Sequence, residues 1–163
     1  MLAAVVTFLA AIGINIISSL HSISDIKINE KIKTFSINVS ADTSIDIGTK
    51  KIEDVFFSVL KKYLENLNLK ENKTNADLEL TFKIDNSTIK DILGLENKKM
   101  EVDIKGTFSL KNNISPENNC ENESFSEKIE IDYKNKEKKE ENVKVLIEKY
   151  VENFVRNKLA EKD

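Results

Sequence analysis

The chain has 163 residues, a third of them charged, with a net charge of −3 and both signs interspersed. That balance argues against nucleic acid as the main partner, because phosphate binding needs a basic excess on one face. Four glycines, one proline and one cysteine argue against a long flexible linker or collagen-like segment and exclude an internal disulfide; at this length a chain buries roughly 68–70% of its unfolded surface and needs no staple.

The chain opens on "MLAAVVTFLAAIGINIISSL", residues 1–20, a run without charge. It is long enough to cross a bilayer as a helix, which takes about 20 residues, and it ends in small residues as a secretory signal does. A basic n-region is missing, since the first lysine is Lys27. The run has no polar face, so it reads as a signal peptide or N-terminal membrane anchor, not as a core helix. Cleavage and retention both remain open. Residues 21–32 read as a linker and 33–160 as a single α+β domain.

"KTFSINVS" alternates Phe35, Ile37 and Val39 with Thr34, Ser36 and Asn38, the pattern of a half-buried strand. "TKKIEDVFFSVLKKYLENLNL" spaces Ile52, Val55, Phe56, Val59, Leu60, Tyr63, Leu64 and Leu67 by threes and fours, which predicts an amphipathic helix with Thr49 as N-cap. "ADLELTFKID", "KMEVDIKGTFSL" and "SFSEKIEIDY" each alternate again and predict three further strands, each with one wet face. "ENVKVLIEKYVENFVRNKLAEKD" carries Val143, Leu146, Ile147, Tyr150, Val151, Phe154 and Val155 on one stripe, a second helix after the solvated stretch "KNKEKKEEN".

The order βαβββα, with one apolar face per strand and two helices to cover it, predicts a two-layer sandwich. It is a four-stranded, mostly antiparallel sheet with both helices on one face. The first strand, reached through a helix, lies parallel to a neighbour. The other sheet face, lined by Glu, Lys, Asp and Thr, is left open.

Catalytic chemistry is hard to place. The one histidine, His21, lies at the export junction, and the four glycines are scattered singly. No Cys–His pair, zinc-ligand spacing or phosphate loop follows. Glu101 and Asp103 share one sheet face, about 7 Å apart at 3.2–3.4 Å per residue, but alternate with lysines as a solvated surface does. Cys120 sits in a polar stretch and reads as an exposed thiol. The expectation is a protein that is not an enzyme and uses no cofactor or metal.

The leader ending in "SSLHSIS", the first strand in "IKTFSINV", the helix "IEDVFFSVLKKYL" and the strand "ADLELTFKID", followed by two long strands and a C-terminal helix, resemble the LptE-like LPS-assembly lipoproteins of the Gram-negative outer membrane. The resemblance rests on topology and spacing. It departs at the junction, where the family carries a lipidated cysteine and this chain reads Ser19-Leu20-His21. The resemblance implies a non-enzymatic assembly factor on the periplasmic side of the outer membrane. It would plug or support the LPS-translocation barrel, contact lipopolysaccharide and associate with the membrane through the N-terminal segment.

For that role the loop between the second and third strands offers Lys90, Lys98 and Lys99, which can pair with headgroup phosphates. Ile92, Leu93 and Leu95 in the same loop are apolar residues of the kind that marks a contact. The plainer alternative is solubilising lysines and apolar residues tucked under the sheet edge. The competing functional reading is an exported or membrane-anchored small ligand-binding domain of the cell envelope, with a pocket between helices and sheet.

Overall fold

Phe35, on the first strand β1 (Thr34–Ala41), is wholly buried, while Asn38 and Ser40 on the opposite parity are exposed. That division repeats across a five-stranded sheet. The computed structural model describes residues 26–47, 49–93, 98–132 and 136–160; the apolar leader, His21, Gly48 and Leu95 lie outside the described residues. In chain order β1 is followed by two-residue strands β2 (Asp46–Ile47) and β3 (Lys50–Lys51), helix α1 (Ile52–Asn66) and two-residue β4 (Lys70–Glu71). Then come β5 (Leu78–Leu93), β6 (Lys98–Asn112), a 3-10 turn at Pro116–Asn118, β7 (Cys120–Asp132) and helix α2 (Lys136–Lys158).

The main sheet runs β4-β1-β5-β6-β7, with β2 and β3 forming a separate antiparallel pair. This corrects the expected four-stranded sheet to five strands plus two. A two-residue strand carries no periodicity that a sequence pattern can register. β1 lies parallel to both β4 and β5, with Phe35 opposite Glu71 on one side and Leu78 on the other. The remaining pairs are antiparallel.

Both helices cover the same sheet face. Phe82, at the centre of β5, meets Phe56 of α1 at 5.1 Å between ring centroids and Phe154 of α2 at 5.2 Å. Phe56 also lies 5.7 Å from Tyr150 of α2 and 6.2 Å from Phe125 of β7. With Phe108 of β6 5.0 Å from Phe154, one aromatic cluster joins both helices to three strands, at separations where ring pairs add to their area burial. The segment before β1 joins the same core: Ile26 and Ile32 are buried, and Ile28 bridges to Ala160 after α2.

Helix α1 leaves directly from β3. Its N-cap is Lys51, with no side-chain cap, and not Thr49. Glu53 and Asp54 in the first turn suit the positive end of the helix dipole instead. Asn68, at φ 63°, ends the helix in the left-handed region that asparagine tolerates, and the Leu69 amide donates back to the Leu64 carbonyl at 3.2 Å.

On β5 a bulge between Ile84 and Asn86 shifts the register, so the buried parity passes from Leu78, Leu80, Phe82 and Ile84 to Ser87. The Ser87 hydroxyl donates to the Thr43 carbonyl at 2.9 Å, holding the chain where it leaves β1. Beyond Ile84 the hairpin of β5 and β6 continues past the end of β1 to the pair Leu93–Lys98.

Candidate functional site

A concavity with an apolar floor lies between the two helices and the β2–β3 pair, and holds about 320 Å³. That is the low end of small-molecule sites, which run from about 300 to 1,000 Å³. Helix α1 contributes Val55, Ser58, Val59, Lys62 and Tyr63, a run of threes and fours that forms one continuous strip. Glu141, Lys144 and Glu148 of α2 form the facing strip, and Ile47, Thr49 and Lys50 close one end.

Floor and rim differ in kind. Val55, Val59, Tyr63 and Ile47 are buried, whereas Ser58, Lys62, Lys50 and Lys144 are exposed. Tyr63 is only 6% exposed, and burial pushes its phenol up to about 12, with the carboxylates of Glu152 and Glu148 adding to the rise and Arg156 opposing it. It is therefore a neutral hydrogen-bond donor at ordinary pH. On the rim Lys144 pairs weakly with Glu148 at 3.9 Å, and Glu152 pairs with Arg156 at 3.2 Å. Among the described residues Lys50 and Lys62 have no carboxylate within ion-pair distance.

The second candidate surface is the open sheet face. Ser36, Asn38 and Ser40 of β1 stand beside Glu79, Thr81 and Lys83 of β5, then Lys111, Ser109 and Thr107 of β6. Its charges are largely matched within the chain: Glu79 with Lys111 at 2.9 Å, Lys83 with Asp42 at 2.7 Å, and Glu101 with Lys128 at 2.9 Å. Asp103 meets Lys105 at 3.2 Å through one oxygen, while its Oδ1 has no hydrogen-bond partner. Glu101 and Asp103 are thus committed to lysines.

The residues proposed from sequence fall elsewhere than expected. The stretch read as a loop is mostly strand: Lys90, Ile92 and Leu93 belong to β5, and Lys98 and Lys99 to β6. Register sets Lys90 opposite Glu101, Ile92 opposite Lys99 and Leu93 opposite Lys98. Lys90 is exposed. Only residues 94–97, Leu95 among them, are left between the strands and lie outside the described residues.

Cys120 is half-buried at the start of β7, opposite Leu110, and burial raises its thiol above the ordinary range. Among the described residues no group of three or more His, Cys, Asp or Glu could hold a metal ion. No helix among them is long and apolar enough to cross a membrane.

The cleft residues escaped the sequence reading for a definite reason. Val55, Val59 and Tyr63 belong to the apolar stripe of α1, which predicts core, and the stripe alone does not reveal that its flank is left uncovered. The one available signal was the width of that stripe, bordered by Ser58 and Lys62 at a spacing of four.

No family model matches this chain, and no curated protein does. Among solved structures, protein XCC0632 of Xanthomonas campestris superposes with a TM-score of 0.55 at 9% identity, over 82% of this chain and 90% of that one. The minor lipoprotein of Acinetobacter baumannii gives 0.46 at 16% identity, over 81% and 97%. The rare lipoprotein B of Shewanella oneidensis gives 0.47 at 14% identity, over 77% and 92%. The likeness to XCC0632 is a likeness of fold alone.

Proposed function

We propose that this chain is a non-catalytic binding domain of the cell envelope that takes a small molecule in the cleft between α1, α2 and the β2–β3 pair. The cleft carries the reading: a concave apolar floor with a few polar groups at its rim is the usual form of a ligand site. The uncharged first twenty residues support an envelope location, as signal or anchor. The test is native mass spectrometry of the full chain extracted from envelopes of its own source. The expected result is an adduct of small-molecule mass that disappears in Val59→Trp, a substitution that fills the cleft. An adduct unchanged in that variant, or absent from the wild type, overturns the reading.

A second reading, docking to an LPS-translocation barrel with contact to lipopolysaccharide, is favoured by one observation. The β5–β6 hairpin outruns β1 and carries Lys90, Lys98 and Lys99, with Ile92 and Leu93, at the end beyond β1, where β7 still runs beside β6 as far as Lys99. The polar open face beside it suits a polar barrel lumen. Affinity capture from native outer membranes should then recover a large barrel protein, and Lys90→Glu with Lys99→Glu should weaken that recovery. Capture without any barrel rules this second reading out.

A further inference from the structure

Resting on the cleft reading, we infer that the ligand is a single-chain amphiphile with an anionic head, its head held by Lys62 and Tyr63 and its chain laid along Val59 and Val55 toward Ile47. Three observations carry this.

The first is the order of groups along the cleft. Tyr63 and Lys62 stand toward the C-terminal end of α1, Val59 one turn back and Val55 a turn further, and Ile47 belongs to the β2–β3 pair from which α1 starts. An apolar strip therefore runs from the Tyr63–Lys62 end toward the end closed by Ile47, Thr49 and Lys50, room for a chain behind a head group.

The second is hydrogen-bonding capacity. The Tyr63 phenol is kept neutral and lines the cleft, and its hydroxyl has no hydrogen-bond partner among the described residues. It is therefore a donor open to an acceptor on a bound ligand.

The third is charge. The two carboxylates nearest this end are already balanced on their own helix, Glu148 by Lys144 and Glu152 by Arg156. Lys62, beside them, has no carboxylate within ion-pair distance among the described residues. The lining as a whole sets Lys50, Lys62 and Lys144 against Glu141 and Glu148, a surplus of one positive charge, and Lys62 is the lysine beside the Tyr63 phenol, so the anionic head is assigned there. A lysine with an uncompensated charge beside a neutral phenol presents donors only, which selects a carboxylate or phosphate over an ammonium.

The experiment is calorimetric titration of the full chain with dodecyl phosphate below its micellar concentration, beside dodecyltrimethylammonium and dodecanol. One molar equivalent of the phosphate should bind, about tenfold or more tightly than the ammonium, the scale of one charge-assisted hydrogen bond. Lys62→Glu should weaken the phosphate by a similar factor and Tyr63→Phe by several-fold, while Lys111→Glu on the open face leaves it unchanged. Lys62 is exposed, so its variant tests the idea even if Val59→Trp fails to fold. Equal binding of phosphate and ammonium, or a Lys62→Glu variant that binds like the wild type, overturns the assignment. If the ammonium or the alcohol binds instead and Val59→Trp blocks it, the head-group assignment falls and the cleft stands. If Val59→Trp alters none of the three, both fall.

Discussion

Gly106 sits on β6 opposite Phe125 of β7, and a Cβ there would meet the Lys83 carbonyl oxygen at 2.2 Å and the Phe125 ring at 2.9 Å. The aromatic ring lies over the place where a side chain would be, a cross-strand arrangement that compensates a glycine in a sheet. Because one obstacle is backbone, relief requires β5 to move away. Gly106→Ala is therefore expected to lower stability by about 1–3 kcal/mol, as overpacking does. The readout is a lower urea midpoint with an unchanged slope. An alanine variant as stable as the wild type contradicts the packing described.

Asp77, just before β5, closes the start of β1 in a similarly local way. Its Oδ2 accepts from the Lys33 amide at 2.8 Å, the Thr34 amide at 2.9 Å and the Thr34 hydroxyl at 3.0 Å, while the Asp77 amide donates to that hydroxyl at 3.0 Å. These donors, the Lys33 amide foremost, hold the carboxyl below its ordinary value of 3.8. With the folded value below the unfolded one, the unfolded chain binds more protons between the two. The stabilisation is complete above the unfolded value and is lost as pH falls through the folded one. In urea titrations below about pH 4, Asp77→Ala should show a shallower loss of stability than the wild type. Near neutral pH the same variant should be less stable by about 1–2 kcal/mol. Parallel pH curves for the two proteins would contradict this account.

At the scale of elements, α1 is fixed by Phe56, which touches Phe82, Phe125 and Tyr150 and is 1% exposed. Truncating it removes contacts to two strands and to the other helix at once. Phe56→Ala should cost about 3–5 kcal/mol, the range for a buried aromatic, where Phe56→Leu costs much less; thermal denaturation of the pair measures the difference. The elements legible in the sequence are those that keep one period for several residues. β1, α1 and the Val143–Val155 stripe of α2 do so, and all their buried positions follow it. β5 was legible only as far as Asp85, because the bulge there breaks the alternation and the next buried residue, Ser87, is polar. Its outer half, with Lys90, Ile92 and Leu93, consequently read as loop. α2 begins at Lys136, inside the charged stretch that looked merely solvated, although lysine and glutamate are good helix formers. The cleft was least legible of all, since it is a gap between three elements separated in sequence, and periodicity reports faces, not the spacing between them.

At the scale of the molecule, the sheet has one long edge to protect. Among the described residues the outer side of β7 meets no other strand, whereas the opposite edge ends in two-residue β4. An unpaired strand of 13 residues is a template for a second chain unless something discourages it. β7 carries two such devices. Asn122, at φ 52° and at the shift in register between β6 and β7, kinks the strand where its amide donates to the Ser109 hydroxyl at 3.0 Å. Ser124, Ser126 and Lys128, all exposed, keep the open face of the edge polar. Replacing them together as Ser124→Val, Ser126→Ile and Lys128→Val leaves the buried positions untouched while making the edge apolar and β-prone. Sedimentation equilibrium over a range of concentrations should show the triple variant associating beyond whatever state the wild-type full chain adopts. A polar-for-polar control, Ser124→Thr with Ser126→Thr, should not. If the apolar variant sediments like the control, the polar residues on β7 are not what keeps this edge to itself.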